Sequence, residues 1–209
     1  MTEELAFWKG DFGNDYTNRN VPSRQSEIGR FRLWGCILQY LAKNRLNSVL
    51  EVGCNIGQNL KTLSFLLDSA LYGIEPNQEA VKQSHTFLKD VNTSIIEGDV
   101  FSLPFEDGEI DLVFTSGVLI HIDPEHLVQA TREIVRVAKR YVVAIEYFSP
   151  SFESVNYRGN SGKLYKGDFS SMYLDNHGLQ PLAEGFAWKR TSGLDDLTWW
   201  IMEKSDSAG

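Results

Sequence analysis

Two glycines follow the first predicted strand of the chain, in the segment 49–60, VLEVGCNIGQNL. Gly53 and Gly57 would let the backbone approach a ligand closely. They lie too near each other for the phosphate-binding pattern GxxxxGK[ST], and no lysine follows them. The dinucleotide pattern GxGxxG would need glycines where the chain has Asn55 and Gln58. The segment therefore argues against both kinds of phosphate loop.

Carboxylates stand at the ends of three successive predicted strands: Glu51 in the glycine segment, Glu75 in GIEPN, and Asp99, followed by Val100, in EGDV. The carboxylate of Glu51 would attract the positively charged amino acid end of a ligand. Glu75 can accept hydrogen bonds from both hydroxyls of a ribose. Asp99 with Val100 suits the amino group and ring face of adenine. One such glutamate alone is usually solvated, so the inference depends on the ordered combination. S-Adenosylmethionine has these three parts and no pyrophosphate.

Two further residues are candidates for chemistry at the predicted pocket. His121 follows the fourth predicted strand in TSGVLIHI and has a reference pKa near neutrality, so it could act as a base or merely orient the next helix. Glu146 follows the apolar run YVVAI, where burial should raise its pKa or pair it with a cation. It could anchor an amine or take a proton from a hydroxyl. The alternative is an ion pair with Arg158 or Arg19 that fixes a loop.

Two predicted loop segments carry polar and aromatic residues that could cover the pocket. The N-terminal arm contains Trp8, which we expect to pack, and Arg19. The segment NYRGNSGKLYKGD contains Arg158 and Lys163. Arginine forks bind carboxylate or phosphate, so Arg19 and Arg158 indicate a small anionic ligand, either the substrate or the carboxylate of the cofactor. The residues predicted to bind substrate are Tyr16, Asn20, Tyr147, Tyr157 and Arg158.

The elements that position these residues alternate between strand and helix patterns from Ser48 onward. An amphipathic helix with Ser26 as its cap comes first, and apolar runs such as SVLEVG, LYGIEP and RYVVAIEY alternate with helical segments. LQPLAEGFAWKR and DDLTWWIMEK follow as two strands with only a turn between them. We predict an α/β fold, a Rossmann-like, mostly parallel seven-stranded sheet with a C-terminal antiparallel hairpin and helices on both faces. One domain, 1–209, would comprise an arm over the active site (1–25), a helix (26–44) and a core (45–209).

Composition narrows the classes of function. The chain has 209 residues and a net charge of -8, which disfavours a nucleic acid partner. Its two cysteines, Cys36 and Cys54, give neither a disulfide framework nor a zinc motif. The sequence shows no signal peptide and no apolar span of about 20 residues. We expect a cytoplasmic monomer or homodimer that acts on a small molecule, with no metal and no membrane partner.

The chain resembles the class I S-adenosylmethionine-dependent methyltransferases in LEVGCNIG, GIEPN, EGDVFSLPFEDGEIDLVFTSGVLIHI and the closing hairpin. More narrowly, it resembles the pseudaminic acid biosynthesis-associated methylase family in FWKGDFGNDYTNRN, EYFSPSFESVNYRGNSGKLYKGDF and DDLTWWIMEK. The class often has glycine at Asn55, and Asn tolerates the left-handed conformation. The resemblance implies that Glu51, Gly53 and Gly57 frame the methionine end of the cofactor. The residues predicted to bind the cofactor are Arg19, Glu51, Gly53, Cys54, Asn55, Gly57, Glu75, Pro76, Asp99, Val100, Ser116 and Gly117.

The sequence thus predicts transfer of a methyl group to an O or N atom of a small polar metabolite, such as a sugar or a nonulosonic acid pathway intermediate. In-line displacement at a sulfonium needs mainly a nucleophile held close and aligned. Three alternatives stay open here. They are methylation of an amino acid-like natural-product precursor, a non-catalytic protein that retains the fold, and a small nicotinamide-dependent reductase.

Overall fold

A seven-stranded sheet forms the centre of the computed structural model, which describes residues 2–42 and 45–205. The strand order is β3-β2-β1-β4-β5-β9-β8. Strands β1 to β5 pair in parallel, and β9 runs antiparallel to both β5 and β8. The predicted sheet with its closing hairpin is confirmed. Its strands are β1 Ser48–Val52, β2 Ala70–Glu75, β3 Thr93–Glu97, β4 Ile110–Ser116, β5 Ala138–Glu146, β8 Gln180–Ala187 and β9 Leu197–Glu203.

A second, two-stranded antiparallel sheet of β6 (Glu153–Ser154) and β7 (Tyr165–Lys166) was not predicted. Its strands are two residues long, too short to show an apolar alternation in the sequence. Residues 43–44 of the predicted helix and 206–209 of the predicted core lie outside the described residues.

Eight α-helices surround the sheet in the described part of the chain. They are α1 Glu3–Lys9, α2 Asp11–Arg19, α3 Arg24–Leu41, α4 Gln58–Ser64, α5 Gln78–Phe87, α6 Pro124–Val137, α7 Phe169–His177 and α8 Lys189–Ser192, with a 3-10 helix at Leu119–His121. The cap of α3 is Ser23, not Ser26, because Ser26 lies one turn inside and completes a capping box with it. None of the described helices is long and apolar enough to cross a membrane.

The two faces of the sheet carry separate apolar cores, because successive side chains of a strand point to opposite sides. Val142 of β5 packs in the core that contains residues of α6 and α7, such as Leu127 and Phe169. Val143 packs in the other core, with residues of α3 and α4 such as Trp34. The parallel pairing of β1 with β2 and β4 brings the carboxyl ends of these three strands to one edge of the sheet.

The N-terminal arm forms two helices, α1 and α2, which corrects its prediction as a loop segment. Side chains from the rim of the sheet hold it in place. The amide of Asn77 donates to Trp8 O at 3.1 Å and to Asn14 Oδ1 at 2.9 Å. Asn55 Nδ2 donates to Thr17 Oγ1 at 3.0 Å. The arm therefore rests on the loops that follow β1 and β2.

Candidate functional site

A cavity of about 1090 Å³, including its open mouth, lies between the carboxyl ends of the strands and the arm. Most residues predicted to bind a cofactor line it: Glu51, Gly53, Cys54, Asn55, Glu75, Pro76, Asp99, Val100, Ser116 and Gly117. Tyr16, Asn20 and His121 line it too, so the arm and the loop after β4 complete its wall.

The glycine loop after β1 takes its path from left-handed backbone positions. Gly53 has φ +74°, and a Cβ there would lie 2.5 Å from a methyl carbon of Val118. Asn55 also has a positive φ, 49°, in agreement with the tolerance expected of Asn. Gly57, at φ +82°, starts α4 and packs against Leu88 rather than lining the cavity, so its predicted cofactor contact is corrected to a structural role. Only glycine fits at Gly53 and Gly57 without strain.

Glu51 presents a buried oxygen that lacks a protein partner. Its Oε1 accepts a hydrogen bond from Asn59 Nδ2 at 2.6 Å, whereas Oε2 is buried with no partner among the described residues. Burial raises the pKa of Glu51 to about 8. An unsatisfied buried oxygen costs about 1–3 kcal/mol, so this site favours a ligand that donates to Oε2. A ligand ammonium group fits that requirement.

Arg30 lies on the same wall of the cavity and was missed at the sequence level. Its Nη1 donates to Ser26 O of its own helix at 3.2 Å. Burial lowers its pKa, and the carboxylate of Glu51 counteracts the shift. In the sequence, Arg30 is marked only as a cation among the apolar residues of GRFRLWG. The helical periodicity of that segment gave no reason to assign it to a cavity. A guanidinium here suits the carboxylate of a ligand.

Glu75, at the end of β2, is held in one orientation by two backbone amides. Asn55 N donates to Oε2 at 2.7 Å, and Asn77 N donates to Oε1 at 2.9 Å. Burial raises its pKa to about 7, although these two hydrogen bonds favour the charged form. Each carboxylate oxygen can accept a further hydrogen bond. Glu75 can therefore receive two ligand hydroxyls.

His121 is 9% exposed and lies against the arm. Its Nδ1 is 2.7 Å from Lys163 O, so Nδ1 carries the hydrogen and Nε2 is the acceptor. In the described part of the chain, Nε2 has no hydrogen-bonding partner. The Trp8 ring packs 4.6 Å from the His121 ring. Burial lowers the pKa of His121 to about 4, so the ring is neutral at pH 7.

Glu146 does not line the cavity, which corrects its predicted place at the reacting centre. The side chain is fully buried, and its carboxylate accepts hydrogen bonds from Val118 N at 3.1 Å, Leu119 N at 3.2 Å and Ile120 N at 3.4 Å. These partners also replace the alternative ion pair with an arginine. Burial raises the pKa of Glu146 to about 7. Glu146 thus fixes the loop that carries His121.

Arg19 is exposed, and its guanidinium lies 5.1 Å from the ring centre of Phe12 and 5.3 Å from that of Tyr16. The predicted contact of Arg19 with a cofactor carboxylate is therefore corrected to a cation–π contact outside the cavity. Arg158 is exposed at φ 51° and likewise does not reach it.

Tyr147 and Tyr157 also lie outside the cavity lining. The Tyr147 hydroxyl donates to Asp195 Oδ2 at 2.9 Å. The Tyr157 ring packs 5.3 Å from that of His121 and 5.8 Å from that of Phe12 in the arm. Their contacts with a substrate stay predictions.

Among curated proteins, the chain is 34% identical over 100 residues to an uncharacterized 37.1 kDa protein in transposon TN4556 of Streptomyces fradiae. The match covers 46% of the chain and 29% of that protein, so the chain spans less than a third of its length.

Two of the solved structures that are similar to this chain illustrate its fold. Magnesium protoporphyrin IX methyltransferase from Synechocystis PCC 6803 with bound SAM has a TM-score of 0.72 at 12% identity, and covers 98% of this chain and 99% of that one. The 1,6-didemethyltoxoflavin-N1-methyltransferase of Burkholderia thailandensis has a TM-score of 0.75 at 14% identity, covering 98% and 90%. At such identities the likeness shows the fold.

The family model described as "Methyltransferase domain" matches residues 50–172, which is more than half of the chain. This range extends from within β1 past β5 and contains the residues of the strand ends that line the cavity. The chain belongs to the methyltransferase domain family.

Proposed function

We propose that the protein is an S-adenosylmethionine-dependent methyltransferase. The observation that carries the proposal is the buried Oε2 of Glu51, which lacks a partner in a cavity that also contains Glu75 and Asp99. Membership of the methyltransferase domain family and a fold shared with a structure that holds SAM support it.

Each part of the cofactor has a matching group in the cavity. Glu51 would hold the ammonium group of the methionine end, and Arg30 its carboxylate. Glu75 would accept from the ribose hydroxyls, and Asp99 with Val100 would contact the adenine. When bound, this cofactor supplies a methyl group activated by a positive sulfonium.

The acceptor in this proposal lies against Trp8, Tyr16 and His121. Burial raises the pKa of Tyr16 to about 12, so its hydroxyl remains a donor at pH 7. The neutral His121 offers Nε2 as an acceptor for an O–H or N–H of the substrate. A donor and an acceptor of this kind suit an O or N nucleophile in a small polar metabolite and would hold it in line.

As the methyl acceptor we propose a sugar or a nonulosonic acid pathway intermediate. The protein would act in the cytoplasm as a monomer or homodimer, without a nucleic acid or membrane partner. The resemblance of the arm, the 146–169 segment and the last strand to the pseudaminic acid-associated methylases supports it. Methyl transfer from labelled S-adenosylmethionine to metabolites of this class, separated by chromatography, tests the assignment. Absence of labelled product with sugars and label on an amino acid-like compound would contradict it.

Calorimetry with S-adenosylhomocysteine tests the cofactor. We expect the wild type to bind and Glu75→Ala to bind at least tenfold more weakly, because the ribose loses its acceptors. The control is Glu97→Ala, since Glu97 is the exposed residue opposite Glu75 in the β2–β3 register. Lack of binding by the wild type would refute the proposed function.

A further inference from the structure

Glu4, in the first turn of α1, places a second incompletely satisfied carboxylate in the same cavity. Its side chain is 12% exposed. Oε1 accepts from Asp123 N at 3.3 Å and lies 3.4 Å from His126 Nδ1. Oε2 is buried and has no hydrogen-bonding partner among the described residues. One oxygen therefore anchors the carboxylate, and the other remains available to a donor.

A chain of contacts along the wall links Glu4 to Asp99. His126, next to Glu4, packs with its ring centre 6.1 Å from that of Phe101. Phe101 N donates to Asp99 Oδ1 at 3.0 Å. Glu4, Phe101 and Asp99 all line the cavity. No hydrogen bond from the described residues reaches Asp99 Oδ2, so this end offers two free carboxylate oxygens.

Apolar side chains of the cavity lining stand beside each of these carboxylates. Val100 and Phe101 follow Asp99 in the chain, and Ile122 precedes Asp123, whose amide donates to Glu4. Each has a hydrophobic side chain that can contact the face of a flat ring. A flat apolar ring with an amino group at its edge matches this combination, because an –NH2 group has two hydrogens to donate.

We propose that Glu4 of the arm and Asp99 of the β3 end together bind the exocyclic amino group of adenine, one carboxylate for each N–H. This inference rests on the proposed function. A ring with an oxo group in that position would turn an acceptor toward two carboxylates, and repulsion of this kind gives specificity. The arm would then read the identity of the nucleoside as well as cover it.

The test compares S-adenosylhomocysteine with S-inosylhomocysteine, which carries an oxo group in place of the amino group. We expect calorimetry on the wild type to show at least tenfold tighter binding of the adenosine compound. In Glu4→Ala this preference should fall at least fivefold, because the adenosine compound loses an acceptor and the inosine compound loses a repulsion.

The matched control is Glu3→Ala, which removes an equal charge from the same helical turn. Glu3 is exposed and pairs with Lys163 at 2.7 Å. Its loss should leave the preference unchanged. Glu4→Gln, which retains the size of the side chain, serves if the alanine variant does not fold, and it should also lower the preference.

Two results would overturn the inference in distinguishable ways. If Glu4 only anchors the arm, both compounds should lose affinity equally and their ratio should stay at the wild-type value. That result refutes the role of Glu4 and leaves the proposed function intact. If the wild type binds neither compound, the proposed function fails and this inference fails with it.

Discussion

Replacement of Glu146 by alanine should destabilise the fold rather than remove a catalytic group. Three backbone amides, at Val118, Leu119 and Ile120, would lose their acceptor. An unpaired buried N–H costs about 1–3 kcal/mol. We take about 1 kcal/mol for each of the three amides, because water can enter the space that the side chain leaves. The loss is then about 3 kcal/mol. Because 1 kcal/mol corresponds to about 2–4 °C in a domain of this size, Tm should fall by about 6–12 °C.

Differential scanning calorimetry on Glu146→Ala, Glu146→Gln and Glu153→Ala measures this effect. Glu146→Gln retains one acceptor oxygen, so we expect about half the loss. Glu153 is exposed, and its replacement should leave Tm within about 1 °C of the wild type. If Glu146→Ala keeps the wild-type Tm and S-adenosylhomocysteine affinity but transfers no methyl group, the positioning role is wrong and a direct chemical role is restored.

Three other predictions concern the cavity. Burial raises the pKa of Glu51 to about 8, so its carboxylate ionises between pH 6 and pH 8. Affinity for S-adenosylhomocysteine, measured by calorimetry, should therefore rise at least tenfold over this range. The affinity of Glu51→Gln should depend less on pH. Gly53→Ala should destabilise the protein by about 1–3 kcal/mol, because φ at this position is +74° and the added Cβ would clash with Val118. Urea titrations measure the effect, and equal unfolding midpoints for variant and wild type would contradict it. NMR titration of His121 should show a neutral ring down to about pH 4 with the hydrogen on Nδ1, and a pKa near 6.5 would mean that the ring is solvated.

The sheet and the cofactor end could be predicted because both depend on local sequence. An apolar run predicts a buried strand, and a residue at the carboxyl end of a parallel strand lies at the shared edge wherever the helices pack. Glu51, Glu75 and Asp99 are therefore placed correctly by their position along the chain. Arg30 was not predicted as a cavity residue, because an amphipathic helix has the same sequence pattern whether its cation faces solvent or a cavity.

Glu146 shows where this reasoning stops. Its position at the end of β5 was right, but the direction of its side chain depends on the loop after β4, whose amides turn toward it. The helices of the arm were missed for a similar reason. Phe7 stacks on Phe12 and Trp8 packs edge-on against it, but the two helices have only seven and nine residues, too few to show a clean helical period in the sequence.

The division of the cavity explains how one fold can serve different acceptors. Its cofactor half is built from strand ends, which the packing of the sheet holds in place, whereas Trp8 and Tyr16 of the other half come from an arm outside the sheet. Changes in the arm that retain Asn14 and Thr17 can therefore alter the acceptor while Asn55 and Asn77 still hold Glu75. Two of the solved structures that share this fold are named for a porphyrin and a toxoflavin precursor. A fold by itself does not determine the acceptor. If Glu4 binds the amino group of adenine as proposed, it is the exception within the arm and couples the two halves. An exchange of the arm that omits Glu4 should consequently change both acceptor choice and nucleoside preference.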